Sequence, residues 1–260
     1  MAGRDEGIFW MKIVGLISGG KDSCYNLMKC IEHGHEIVCL ANLYPSPSGQ
    51  EEIDSYMYQC VASNGVQLYS EATDLPYYGR EIKGRPIEVG ADYEPTRCDE
   101  VEDLYELLAF IKRKHPAIQA VSSGAILSSY QKNRIENVCQ RLNLQSLTYL
   151  WNLDQAFLFD QIISSGIEAI VVKVAALGLS KNHLGKPLKE MRSILLDLNN
   201  RYGVHICGEG GEYETFVLDC PLFKKKIVLD EATVVDHSVD DFAPVAYLSL
   251  CKLHLENKCS

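Results

Sequence analysis

The chain has 260 residues, of which 47% are hydrophobic and 23% charged, a composition typical of a globular protein with a substantial core. The formal net charge is −10, and the densest basic run is only Lys224, Lys225 and Lys226, which argues against direct nucleic-acid binding. The ten cysteines include no CxxC pair, which excludes the usual zinc-ribbon, redox and iron–sulfur spacings and favours reduced core thiols. The sequence contains no apolar stretch of membrane-spanning length and no signal pattern, so we expect a cytoplasmic protein with no membrane partner.

Strands and helices alternate in the first part of the chain. Residues 11–17 form an apolar run of strand length, a helix with one apolar face follows, and residues 37–43 predict a second strand. The pattern then predicts a helix near residues 54–63, a strand at 66–70, a long loop at 73–99, and a helix with Val101, Leu104, Leu108 and Ile111 facing inward. A strand at 118–123, a helix at 128–142 and a strand at 147–151 follow. This alternation predicts an α/β fold with a doubly wound, mainly parallel, Rossmann-like sheet.

The second part of the chain has a different pattern. One helix, a strand at residues 167–174 and a helix at 187–202 precede a region that favours β structure at 216–218, 226–229, 233–235 and 245–254. We therefore predict a soft boundary near residue 150. Residues 1–10 would be an N-terminal extension, 11–150 a nucleotide domain, and 151–260 a smaller α+β substrate domain.

One short motif stands between the first strand and the first helix, and it consists of Ser18, Gly19, Gly20, Lys21, Asp22 and Ser23. Backbone amides and the positive end of a helix bind anions at such a place, and glycines let the backbone approach closely. A Walker loop would carry Ser or Thr after the lysine to hold magnesium, whereas this chain has Asp22. An ordinary glycine turn is the alternative.

The motif SGGKDS resembles the pyrophosphate loop (PP-loop) of the N-type ATP pyrophosphatases, which include GMP synthetase, NAD synthetase and tRNA-lysidine synthetase. This resemblance implies that the loop binds the β- and γ-phosphates of ATP and that ATP is split into AMP and pyrophosphate. Lys21 and Asp22 would then be catalytic, and Asp22 would contact a magnesium ion, since Mg²⁺ is commonly held by one or two carboxylates plus phosphates.

Further segments resemble the diphthine–ammonia ligase branch of that family: residues 124–131, then Arg134, Glu136, Asn137 and Cys139, then Leu150 and Trp151, and finally residues 207–216. The resemblance implies that ATP adenylates the carboxylate of diphthine, a modified histidine on translation elongation factor two, and that free ammonia displaces AMP. Three departures are Ser129 where many relatives carry Asp, the residues before Met11, and the lack of the C-terminal domain that some fungal relatives append.

Two strand ends and one helix face complete the predicted nucleotide site. The backbone of Ala41, Asn42 and Leu43, and that of Gly124, Ala125 and Ile126, would form a wall against adenine or ribose, because ligands of open α/β sheets bind at the carboxyl ends of strands. Ordinary strand termini are the alternative. Tyr130 and Arg134 share a helix face and would meet phosphate, with a surface ion pair as the alternative for Arg134.

An acidic, glycine-containing segment follows in the second part: Glu209, Gly210, Gly211, Glu212, Tyr213, Glu214 and Thr215. We assign it to the protein substrate and not to ATP, because it lies far from the phosphate motif in sequence and its carboxylates repel phosphate. Its charge and the Tyr213 ring suit the trimethylammonium group of diphthine, and Glu212 and Glu214 are candidate catalytic proton acceptors. A solvated acidic turn is the alternative.

Two other functions share parts of this pattern. A tRNA-modifying PP-loop ATPase of the lysidine or thiolation type would carry the same motif, but the negative charge opposes tRNA binding and thiolation commonly uses cysteine pairs. A nucleotide-binding sensor without catalysis is the third interpretation.

Overall fold

The computed structural model describes residues 10–46, 57–58, 61–238 and 245–258. Its first sheet contains five parallel strands in the order β3-β2-β1-β4-β5. The strands are β1 (Lys12–Leu16), β2 (Glu36–Tyr44), β3 (Tyr77–Glu81), β4 (Ala120–Ser122) and β5 (Gln145–Leu147). The accompanying helices are α1 (Lys21–Glu32), α2 (Leu68–Thr73), α3 (Glu100–Lys114) and α4 (Ser129–Arg141). The predicted α/β class with a parallel sheet is confirmed.

The helices of this first part begin and end where local chemistry favours it. Asp99 caps α3 by accepting a hydrogen bond from Val101 N at 2.9 Å, and the first turn of α3 is acidic whereas its last turn is basic. Ser128 caps α4 in the same way through Gln131 N. Val101, Leu104, Leu108 and Ile111 are all buried, as the helical spacing predicted.

The second sheet is antiparallel and has the order β7-β6-β9-β8. Its strands are β6 (Glu168–Val174), β7 (Tyr213–Asp219), β8 (Lys225–Ser238) and β9 (Val245–Asn257), with α5 (Gln155–Ser164) and α6 (Leu188–Tyr202) beside them. Short 3-10 helices lie at Ser63–Gly65 and Lys181–His183. Helix α6 follows Pro187 and ends at Gly203, whose φ of 74° suits glycine.

One hydrophobic core runs through both sheets, and side chains of α1, α2, β6 and β7 meet in it. The Tyr69 hydroxyl lies 2.8 Å from Gly19 O and 2.9 Å from Val217 O, and Val217 N donates to Gly19 O. The segment after β1 is therefore bonded directly to β7. The division into domains near residue 150 stays a prediction.

Several predicted elements are wrong or displaced. Residues 66–70 are not a strand: Val66, Tyr69 and Ala72 are buried at helical spacing, and α2 covers most of this stretch. The predicted loop at 73–99 contains the strand β3, which lies at the sheet edge and is only partly buried, so its alternation is weak. Strand β5 ends at Leu147, and the predicted strand at 147–151 is a turn.

Half of the predicted helix at 54–63 lies outside the described residues. The described part before Ser63 is not helical, and Ser63 begins a 3-10 helix. The segments at 226–229 and 233–235 belong to one strand, β8.

Of the eight cysteines within the described ranges, six are buried, and burial raises the pKa of the Cys39 thiol to about 12. Within these ranges, no helix has both the length and the apolar character that crossing a bilayer requires.

Candidate functional site

A cavity of about 650 Å³ opens at the carboxyl ends of β1, β2 and β4, where parallel sheets commonly bind ligands. Residues 207–215 of the second part close its other side. Most of the predicted site residues line it, namely Ser18, Lys21, Asp22, Ser23, Ala41, Asn42, Leu43, Gly124, Ala125, Tyr130, Glu209, Gly210, Gly211, Tyr213, Glu214 and Thr215. Gly19, Gly20, Ile126, Arg134 and Glu212 are not among the lining residues.

The loop of residues 18–23, here called the phosphate loop, is curled by bonds within itself. Ser18 N donates to Ser23 Oγ at 3.3 Å, Gly20 N donates to Ser18 Oγ at 3.2 Å, and Ser23 Oγ donates to Gly20 O at 3.0 Å. The end of β4 packs directly onto it, because a Cβ on Gly124 would lie 2.6 Å from Ser23 N. A glycine is therefore required at position 124 for this approach.

The phosphate loop also receives a cap from the second sheet. Gly20 is the N-cap of α1 and offers no side chain, so the first amides of the helix need other acceptors. Lys21 N donates to Thr215 Oγ1 of β7 at 3.1 Å in a buried environment. The first amide of α1 is thus bonded to a residue almost two hundred positions away in sequence.

The Lys21 side chain is buried among three groups. Its Nζ lies 2.8 Å from Asp22 Oδ2, donates to Cys207 O at 2.5 Å, and stands 5.0 Å from the centre of the Tyr213 ring. Burial is the largest influence and opposes the charged form of Lys21, but Asp22, Tyr213 and Cys207 together outweigh it, and the pKa of Lys21 lies above its ordinary value. Tyr213 lines the cavity, but its side chain is 2% exposed and its ring already faces the Lys21 ammonium, so contact of this ring with a trimethylammonium group stays a prediction.

Asp22 has one oxygen committed to Lys21 and one oxygen, Oδ1, that is buried with no hydrogen-bond partner among the described residues. Burial raises the pKa of the Asp22 carboxyl, and the Lys21 ammonium opposes that shift. A buried carboxylate oxygen of this kind fits the predicted magnesium contact, since Mg²⁺ is commonly held by one or two carboxylates together with phosphates. The described ranges contain no group of three or more His, Cys, Asp or Glu side chains arranged as a metal cage of their own.

The segment of residues 205–212, here called the glycine loop, is fastened to the first sheet by Glu209. Its Oε1 accepts hydrogen bonds from Ile126 N at 2.9 Å and from Leu127 N and Ser128 N at 2.8 Å, at the positive end of α4. Ile126 takes part through its backbone, while its side chain is buried in the core. Glu209 therefore holds the glycine loop against the predicted adenine wall.

The two predicted catalytic carboxylates have different surroundings. Glu212 accepts from His205 N at 2.9 Å and from Gly210 N at 2.8 Å, so its carboxylate closes the glycine loop and does not line the cavity. Glu214 lines the cavity, and its Oε1 lies 3.4 Å from Lys173 Nζ, with both side chains less than a fifth exposed. The geometry favours Glu214 over Glu212 for contact with a bound molecule.

Arg134 differs from both sequence interpretations. The side chain is fully buried, which rules out a surface ion pair, and its guanidinium donates to the carbonyls of Tyr130, Glu88 and Gly90 at 2.5–3.2 Å. It stacks 3.3 Å from the centre of the Tyr130 ring. The guanidinium is bonded to these carbonyls and does not line the cavity, so the predicted phosphate contact is wrong. Arg134 instead supports the loop that carries Val89.

Sequence reasoning missed part of the lining, namely Met57, Tyr58, Val89, Leu104, Gln131, Ile135, Cys207 and Gly208. Cys207 and Gly208 lie in the segment that carried the family resemblance, so a signal existed for them. Val89 lies in a loop without periodicity, and Leu104 fits an ordinary core position of α3. Neither pattern indicates a cavity.

The acidic segment does not lie apart from the phosphate motif, contrary to the prediction made from its distance in sequence. Sequence distance separates them, but Thr215 and Cys207 bind Lys21 directly, and Val217 N donates to Gly19 O. Both segments line one cavity, and the carboxylates of Glu209 and Glu212 are occupied by backbone amides. Long-range pairing of β7 with the phosphate loop brings them together.

Comparison with known proteins identifies the family. Residues 11–146 match the diphthamide synthase N-terminal domain, and residues 140–247 match the diphthamide synthase C-terminal domain. A diphthine–ammonia ligase from Rattus norvegicus is 61% identical over 255 residues, covering 96% of this chain and 94% of that protein. The diphthine–ammonia ligase of Homo sapiens is 57% identical over 253 residues, covering 96% and 94%. That of Schizosaccharomyces pombe is 54% identical over 240 residues, covering 92% of this chain and 39% of that protein. The chain belongs to the diphthamide synthase family.

Proposed function

We propose that this chain is a diphthine–ammonia ligase, which uses ATP to amidate the diphthine carboxylate of translation elongation factor two in the cytoplasm. The relatives that are more than half identical to it carry this name. The observation that carries the proposal is one shared cavity, which residues of both the phosphate loop and the glycine loop line. An adenylating ligase needs such a shared space, because ATP and the carboxylate must meet in line.

The first step joins a diphthine carboxylate oxygen to the α-phosphorus of ATP and breaks the bond to the β-phosphate, releasing pyrophosphate. The phosphate loop lines the cavity at the start of α1, where the positive end of a helix would stabilise the developing pyrophosphate charge. Lys21 adds a positive charge that Asp22 and Cys207 hold in position. Magnesium, when bound, would neutralise phosphate charge, and Asp22 Oδ1 is the atom of this chain that would hold it.

The second step joins ammonia to the acyl carbon, expels AMP and leaves one proton to be removed from nitrogen. Glu214 lines the cavity beside the phosphate loop and is our candidate for receiving that proton. Glu212 contributes indirectly, since its carboxylate closes the glycine loop. The trimethylammonium group of diphthine would meet the negative charge of this region at the cavity mouth.

A tRNA-modifying activity is the second candidate, and the names of the relatives and the net charge of −10 disfavour it. The test incubates the protein with ATP, magnesium and ammonia, and adds diphthine-bearing elongation factor two, tRNA, or neither. We expect AMP, pyrophosphate and amidated factor only with the protein substrate. Stimulation by tRNA alone would replace the proposal, and ADP with inorganic phosphate as products would contradict the cleavage site.

A further inference from the structure

One histidine holds most of the glycine loop together. The backbone N of His205 donates to Glu212 Oε1, and its backbone O accepts from Gly208 N at 2.8 Å. Its ring Nδ1 lies 3.2 Å from Cys207 N and 3.4 Å from Glu209 N, and both amides donate to it. His205 thus bonds four of the seven residues that follow it in the loop.

These bonds lead directly to the candidate active site. The amide of Cys207 donates to His205, and the carbonyl of Cys207 accepts a hydrogen bond from the Lys21 ammonium. Glu209, whose amide is also held, receives the three amides at the start of α4. Without the ring, two neighbouring amides would lose an acceptor, and the carbonyl and carboxylate that fix Lys21 and α4 would be free to shift.

The geometry specifies the protonation state of the ring. Nδ1 accepts two N–H groups, so it carries the lone pair and the ring proton lies on Nε2. Nε2 is buried and has no partner among the described residues. Burial lowers the pKa of His205, and Lys21 acts in the same direction, against the carboxylates of Glu212, Glu209 and Asp22. The neutral ring is the form that fits this loop.

We propose that His205, as a neutral hydrogen-bond acceptor, is a positioning residue that sets Cys207 O and Glu209 so that Lys21 and the α4 terminus meet the pyrophosphate and the nucleotide. His205 does not line the cavity and touches neither substrate in this role. The inference rests on the proposed function for its kinetic readout. His205 is thus a positioning residue that lies outside the phosphate loop and could not be identified from that motif.

The test compares His205→Leu with His205→Asn by pyrophosphate exchange into ATP, with diphthine-bearing factor and without ammonia, so that only adenylation is measured. Asn places an acceptor oxygen close to the position of Nδ1, whereas Leu supplies none. We expect His205→Leu to lower the maximal exchange rate by about tenfold, with little change in the KM for ATP, and His205→Asn to recover most of the rate.

His183 provides a matched control, because its Nδ1 also accepts a backbone amide, that of Ser180 at 3.0 Å, outside the cavity lining. His183→Ala should exchange at the wild-type rate. Equal rates for wild type and His205→Leu would overturn the inference, and so would a His205→Asn variant as slow as His205→Leu. Absence of exchange in the wild type would instead contradict the proposed function.

A spectroscopic measurement keeps the inference testable if His205→Leu does not fold. Long-range proton–nitrogen correlation spectra of the wild-type protein at neutral pH report which ring nitrogen of His205 carries the proton. We expect protonated Nε2 and unprotonated Nδ1. A proton on Nδ1 would overturn the inference, because that nitrogen could not accept the two loop amides.

Discussion

The phosphate loop and the glycine loop form opposite sides of one cavity, but they are built differently. The phosphate loop is curled mainly by Ser18, Gly20 and Ser23, which lie within six positions of one another. The glycine loop is closed by His205 and Glu212, yet its functional contacts reach Lys21 and α4, far away in sequence. Contacts within a short motif can be predicted from the sequence, whereas contacts between residues that are distant in sequence are visible only in the fold.

The largest expected effect comes from the phosphate loop. Asp22→Ala should lower turnover by about 100- to 1,000-fold, because it removes the carboxylate oxygen that would hold magnesium. The negative charge that develops on the phosphates would then be less well neutralised. Release of AMP and pyrophosphate measures turnover, and circular dichroism checks the fold. Asp22→Asn, which keeps the size of the side chain, should be comparably slow. Near wild-type turnover by either variant with saturating magnesium would place the phosphate site elsewhere.

The success of the fold prediction follows the same local rule. Strands β1, β4 and β6 and helices α3, α4 and α6 have strong periodicity and clear ends, and the sequence predicted them within a few residues. The edge strand β3 was missed because only one side of it is covered. Helix α2 was misassigned because six residues are too few to distinguish a buried helical turn from a strand.

A second prediction asks how far the phosphate loop depends on contacts beyond itself. Gly124→Ala would place a methyl carbon 2.6 Å from Ser23 N, a backbone atom that has no room to move without shifting α1. We expect ATP binding to weaken by about 2 kcal/mol, as measured by calorimetry. Gly90→Ala is a control, because its added carbon would come closest to the flexible end of Glu88, and its one backbone neighbour, Asp92 O, would lie at an ordinary 3.7 Å. If Gly124→Ala bound ATP normally, the close approach of β4 would be unimportant.

The third prediction separates the two carboxylates of the acidic segment. Glu214→Gln should reduce amidation by about tenfold, or 1.4 kcal/mol, while the dissociation constant of ATP changes little, because Glu214 is the carboxylate that lines the cavity. Glu212→Gln keeps an acceptor for one of its two amides and should act mainly on thermal stability. A larger amidation defect for Glu212→Gln than for Glu214→Gln would reverse these roles.

The sequence predicted most of the site residues but not how they act. Residue type and spacing indicated a phosphate loop, and the family resemblance indicated the acidic segment. Nothing in either pattern indicated that Glu209 binds three amides of the α4 terminus or that Tyr213 faces Lys21. The prediction for Arg134 is the clearest failure. Its position on the helix predicted an exposed side chain or a ligand contact, whereas its guanidinium donates to three backbone carbonyls, one in α4 and two in a loop distant in sequence.

The smallest expected effect tests a hydrogen bond between the phosphate loop and a side chain of β7. Thr215→Val keeps the shape of the buried side chain but removes the acceptor of Lys21 N, which is the first amide of α1. Without this hydrogen bond the first turn of α1 is no longer held against β7, and we expect ATP binding to weaken by about 1 kcal/mol, or about fivefold in calorimetry. Thr215→Ser retains the hydroxyl and should bind ATP nearly as well as the wild type. If Thr215→Val bound ATP with unchanged affinity, the phosphate loop would be self-sufficient and β7 would serve only as its support.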